Sequence, residues 1–140
     1  GIGSDHGGYA LKQAVIKHLE DKGYAVKDYG CYSEESCDYP VYAKAVANAV
    51  KDGKVEKGIL ICGTGIGISI TANKIKGIRA ALCSDTFSAH ATREHNDANI
   101  LAMGARVVGE GLALDIVDTF LETEFSNDER HIRRINQIED

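Results

Sequence analysis

The 140-residue chain contains no apolar run long enough to span a bilayer, one proline, and four cysteines that form no CxxC pair. A spanning helix needs about 20 consecutive apolar residues, so nothing in this sequence is expected to cross a membrane. Pro40 is the sole proline, and there is neither a low-complexity tract nor a repeat at solenoid periods. No linker divides the chain, and residues 1–140 are expected to form a single domain. An excess of positive charge is missing too: 16 Lys and Arg stand against 21 Asp and Glu, a formal net charge of -5. Nucleic-acid binders concentrate positive charge on one face, so no nucleic-acid partner is expected and any anion must be held locally. Cys31, Cys37, Cys62 and Cys83 make no zinc-type ligand set, and a domain this long needs no disulfide framework. Reduced thiols in a cytoplasm are the expectation, with no metal and no cofactor. The chain opens on Gly1-Ile2-Gly3-Ser4 without the basic and apolar leader of a secretory signal. A first strand with so few residues ahead of Asp5 reads as clipped.

What is present is ordinary globular material, 44% hydrophobic and 26% charged, and a chain of this size buries roughly two thirds of its unfolded surface. Leu11, Val15, Ile16 and Leu19 recur at helical spacing and Gly23 stops the helix ahead of a strand at Tyr24-Ala25-Val26. The alternation then continues. Helices are expected over 42–50, 66–75, 87–94 and 109–122, and strands over 58–62, 78–83 and 99–103. Continuous apolar strands alternating with amphipathic helices imply a parallel sheet covered on both faces. The expected fold is α/β, a three-layer open parallel sheet of about five strands, Rossmann- or flavodoxin-like. Ser126-Asn127-Asp128-Glu129 reads as the capped start of an extra C-terminal helix reaching about Ile138.

Ligands of open parallel sheets lie beyond the carboxyl ends of the strands. Candidate chemistry therefore sits at Asp5-His6-Gly7-Gly8, at Cys62-Gly63-Thr64-Gly65-Ile66-Gly67, at Ser84-Asp85 and at Met103-Gly104-Ala105-Arg106. Bare amides entering a helix make a nest for a phosphate or a developing oxyanion. The dinucleotide fingerprint needs a glycine where Ile68 stands, and the P-loop needs a Gly-Lys pair, so both nucleotide motifs fail on spacing. A tight strand-to-helix turn is the plainer reading of the loop. Cys62 occupies the last strand position, where a helix N-terminus favours thiolate, so it is a candidate base or nucleophile; the alternative is a small buried hydrophobe. A cysteine phosphatase would need arginine six positions on, where Ile68 stands after Cys62 and Cys37 after Cys31. His95 is a candidate acid/base, or else a cationic helix C-cap. On the final helix Arg130 and Arg134 share a face with no carboxylate three or four residues away, which suits a phosphate dianion. Arg133 has Glu129 four residues earlier and is expected to form the solvated pair.

These stretches together resemble the ribose-5-phosphate isomerase B family, which also contains the galactose-6-phosphate isomerase subunits. The matching text is GSDHGGYALK, DYPVYA, GILICGTGIGISITANKIKGIRAALC, REHNDANILAMGARVVG and the late RHIRR. The resemblance implies an intramolecular oxidoreductase that interconverts ribose 5-phosphate and ribulose 5-phosphate through an enediolate, without a metal. It implies that Cys62 is the base moving the proton between C2 and C1 and that His95 helps open the ring. Asp5 and His6 would contact the sugar, Gly63, Thr64, Gly65, Ile66 and Gly67 would line the anion hole, and Asn96, Arg106, Arg130 and Arg134 would complete the sugar-phosphate site. It further implies a homodimer or dimer of dimers with sites shared between subunits. A branch of the family carries glutamate as base where Ile68 stands here, so the chain groups with the cysteine type. An isomerase of a six-carbon substrate, allose or galactose 6-phosphate, is the alternative within the class. A non-catalytic module binding a nucleotide or phosphorylated effector is the alternative outside it.

Overall fold

The computed structural model describes residues 1–139. Strands β1 (Ile2–Ser4), β2 (Gly58–Cys62), β3 (Ala80–Leu82) and β4 (Ile100–Gly104) form one sheet in the order β1-β2-β4-β3. Every pairing is parallel, with Cys62 opposite Gly104 and Gly58 opposite Ile100. Helices α1 (Tyr9–Asp21), α2 (Tyr39–Lys51), α3 (Ile66–Ala72), α4 (Thr86–Asn96), α5 (Glu110–Glu122) and α6 (Glu129–Asn136) complete the chain. No helix among the described residues is long and apolar enough to cross a membrane.

Strand parity decides the two layers of core. Ile59, Ile61, Leu101 and Met103 pack with Leu11, Val15, Ile116 and Phe120 of α1 and α5. Their neighbours Leu60, Cys62, Ile100 and Ala102 pack with Ala43, Val46, Ile68 and Ala72 of α2 and α3. Both faces of the sheet are covered, which is why β2 reads as an unbroken apolar run rather than an alternation.

The α/β architecture agrees with expectation, and the details differ where tertiary pairing overrides local pattern. Tyr24-Ala25-Val26 forms no strand: Tyr24 and Ala25 are exposed. Instead residues 27–31 run beside β1, with Ile2 N–H donating to Lys27 O (2.9 Å), Tyr29 N–H to Ile2 O (2.8 Å), Ser4 N–H to Gly30 O (2.7 Å) and Cys31 N–H to Ser4 O (2.8 Å). This irregular segment stands in for the fifth strand. Buried Lys12 fixes it by donating to both Asp28 oxygens at 2.6 and 2.7 Å, with the Tyr9 and Tyr32 rings each 5.4 Å from its ammonium. Helix α3 ends at Ala72 rather than Ile75, because the Asn73 side chain turns to bond Ala80 N–H (2.7 Å) and Ala80 O (2.9 Å).

Candidate active site

Three adjacent strands deliver the candidate residues to one edge of the sheet. At the end of β1, buried Asp5 folds the chain into a short 3-10 turn, His6–Gly8, by accepting the Gly8 N–H at 3.1 Å. A Cβ on Gly8 would stand 2.5 Å from the Ile61 carbonyl oxygen, so the β1 turn lies directly on β2. Gly7 abuts the glycine loop in turn, its added Cβ falling 3.5 Å from Gly63 N.

At the end of β2, Cys62 is buried, and Gly65 N–H donates to its Sγ at 3.1 Å. A negative charge arising on that sulfur therefore has a backbone partner in place. The loop holds this shape because Gly65 adopts φ +78°, and its missing Cβ would lie 2.5 Å from Leu82 Cδ1 and 2.7 Å from the Met103 carbonyl carbon. Gly65→Ala is expected to destabilise the fold by about 3 kcal/mol in urea unfolding, from left-handed strain plus overpacking. Gly111→Ala, where the added carbon meets nothing within 4 Å, is expected to leave the midpoint unchanged or slightly raised.

From β4, Arg106 N–H donates to Gly63 O (3.0 Å) and Ala105 N–H to Cys62 O (2.9 Å). The Arg106 side chain lies over the loop, its Nε 3.7 Å from where a Gly63 Cβ would be, and it forms no ion pair among the described residues. Tyr39, at the start of α2, packs against Gly67, its hydroxyl 2.9 Å from that glycine's added Cβ. One edge thus gathers Asp5, His6, the 62–67 loop, Arg106 and Tyr39. Thr64, Ile66, Arg106 and Val107 leave it open to solvent.

The other candidates lie elsewhere. Helix α4 runs back against the strands and ends at their amino side. Arg79, the residue before β3, donates to Asn96 O (3.0 Å) and Asp97 O (2.9 Å) there. Buried Arg93 ties this end together through Ala98 O (2.6 Å), Asp97 Oδ1 (2.8 Å) and Thr123 O (3.1 Å). His95 and Asn96 are both exposed and separated from Cys62 by at least the span of β2, about 13 Å at 3.3 Å per residue. Helix α6 docks at the same end: Ser126 N–H donates to Glu94 O at 3.1 Å, and the His131 ring lies 4.6 Å from that of His95, tilted by 36°. A cavity of about 400 Å³ beside β3 opens here, with Arg79, Asn96 and Ile138 among its lining residues.

Sequence reasoning missed His131, which is buried and has Ser126 Oγ at 2.6 Å from its Nδ1. It stands between the two arginines that drew attention, one position off their shared face. The expectation for those arginines also needs correction. Arg130 is paired: the helix-capping Asp128 takes its Nε at 3.2 Å and Nη2 at 3.4 Å, two residues away rather than three or four. Backbone and guanidinium of Arg130 together hold the Asp128 carboxyl below its usual range. Arg134 is exposed without an ion pair among the described residues, and no Arg133–Glu129 pair forms among them.

Residues 1–138 match the family described as Ribose/Galactose Isomerase. The chain belongs to that family. It is 52% identical over 137 residues to ribose-5-phosphate isomerase B of Escherichia coli, covering 98% of this chain and 91% of that one. It is 47% identical over 125 residues to D-erythrulose-4-phosphate isomerase of Pectobacterium atrosepticum, covering 89% and 82%. The solved structure of Clostridium thermocellum ribose-5-phosphate isomerase B superposes with a TM-score of 0.96 at 57% identity, covering 98% of this chain and 92% of that one. Family membership settles the α/β class and the isomerase chemistry, and it makes the split between the two ends of the sheet the feature to explain.

Proposed function

We propose that the protein interconverts ribose 5-phosphate and ribulose 5-phosphate in the cytoplasm, at a site assembled from two copies of the chain. The observation that carries this is the Gly65 N–H aimed at the Cys62 sulfur, inside the glycine loop at the sheet's carboxyl edge. Aldose–ketose exchange removes the C2 proton of the open-chain sugar, passes through an enediolate and returns a proton to C1, while the hydroxyl proton moves from O2 to O1. That requires a base close to both carbons and donors for the oxygen that turns negative. Cys62 is the base; the loop from Gly63 to Gly67 lines the anion hole where the charge develops, and Asp5 and His6 hold the sugar.

His95, Asn96, Arg130 and Arg134 join from a second copy, since within one chain they sit at the opposite end of the sheet. There His95 opens the sugar ring as acid, and the arginines take the phosphate, Arg130 exchanging Asp128 for it. Arg106, already over the glycine loop, adds a third guanidinium. Exposed Val41, Ile66, Ile70 and Leu82 give the second copy an apolar surface next to this edge.

The test is a panel of four-, five- and six-carbon aldose phosphates, with turnover on ribose 5-phosphate expected to exceed the others. The four-carbon member belongs in the panel because a relative 47% identical carries a four-carbon name. Proton exchange between deuterated water and none of these sugars would return the chain to the binding-module reading.

A further inference from the structure

Beside the proposed site lies a second pair of sulfurs that the isomerase chemistry does not use. Cys31 closes the segment paired to β1, and its Sγ sits 3.9 Å from Ser4 Oγ and donates to Ser33 O at 3.3 Å. Six residues on, Cys37 N–H donates to His6 Nδ1 at 3.2 Å, and its Sγ lies 4.0 Å from the same nitrogen. Both sulfurs are therefore anchored at the carboxyl end of β1, Cys31 on Ser4 and Cys37 on His6 of the turn that follows, close enough for each thiol to feel the other, and both are free thiols. Tyr32 to Ser36, the residues between them, are all exposed and belong to no helix or strand, and the loop is tied to the core through Tyr32, whose ring lies over Lys12 and whose hydroxyl donates to Asp28 O at 3.2 Å.

We infer that Cys31 and Cys37 form an oxidation site: on meeting a low-molecular-weight disulfide they close to an intramolecular disulfide that releases His6 from its backbone partner. Cys37 is the more accessible and attacks first, joining one half of the reagent and expelling the other as a thiol. Cys31 then displaces the second half. Two thiol protons and two electrons pass to the reagent, which leaves as two thiols, and a bond of about 2.05 Å joins the protein sulfurs. Burial, and then the neighbouring Cys31 thiol, push the Cys37 thiol up from its ordinary value, so closure speeds up as pH rises. Cys83 stands apart at the end of β3, pushed up to about 11 by burial and by Asp85.

The consequence runs through His6. Because a backbone N–H donates to Nδ1, the neutral ring keeps its own proton on Nε2. Cys31 is the fixed partner, held by its N–H on Ser4 O at 2.8 Å, so it is Cys37 that must move and take its N–H away from His6. The effect on turnover rests on the isomerase reading; formation of the bond does not.

The test treats the fully reduced protein with oxidised glutathione at pH 8, then maps disulfides by mass spectrometry and follows ribose 5-phosphate turnover before and after dithiothreitol. A linked 31–37 peptide is expected, with a reversible loss of activity of about 10-fold or more. Cys37→Ser keeps the backbone N–H on His6, and its activity after treatment should equal its own activity before it. Cys31→Ser should stall with one glutathione on Cys37. An unlinked 31–37 peptide in the treated parent would overturn the pair, and equal inactivation of Cys37→Ser would move the sensitive thiol to Cys62. If ribose 5-phosphate is not turned over at all, the linked peptide still decides whether the pair closes.

Discussion

Cys62→Ala is expected to lower turnover of ribose 5-phosphate by about 10³-fold while the protein stays folded. A positioned base contributes roughly 10² to 10⁴ in rate. Truncation removes one buried sulfur atom from the layer under α2 and α3, a loss of about 1 kcal/mol that leaves the fold intact. Circular dichroism and the urea midpoint should therefore hardly change. Cys62→Ser, with a far weaker base of similar size, is expected to lose nearly as much. Retained activity in either variant would remove Cys62 from the mechanism.

Mixing two inactive proteins is expected to restore activity. His95→Asn alone should lose about 10²-fold as ring opening slows, and Cys62→Ala loses more. If each site takes Cys62 from one copy and His95 from another, a heterodimer carrying one change per chain has one site with both groups intact and one with neither. Random exchange of subunits makes half the dimers mixed, and half of their sites work, so about a quarter of parent activity should return after unfolding and refolding the mixture together. A site built within one chain would recover nothing. The geometry favours recovery, because β2 separates the two groups by its whole length.

Much of this was legible before any coordinates. Gly58–Cys62 read as a strand because a helix-covered parallel strand is apolar at every position, and the glycines after it marked the turn where amides are left bare. Gly23 ended α1 as expected, at φ +91°. Hydrophobicity points to Tyr24–Val26 as the fifth strand, whereas pairing is set by Lys12 gripping Asp28, a contact sixteen residues apart that no local window contains. Helix-surface rules look three or four residues away and leave Arg130 unpaired, whereas a capping aspartate reaches it from two. The division of the site could in principle be read from topology: a residue closing a crossover helix falls at the amino side of the sheet, and one closing a strand at the carboxyl side. Motif matching lists Cys62 and His95 together; chain direction sets them apart.

A crystal structure with ribulose 5-phosphate bound is the most direct test. The Cys62 sulfur is expected within about 3.5 Å of both C1 and C2, with His95 and Arg134 of a second copy reaching the same ligand. A sulfur more than about 6 Å from both carbons, too far to transfer a proton, would contradict it.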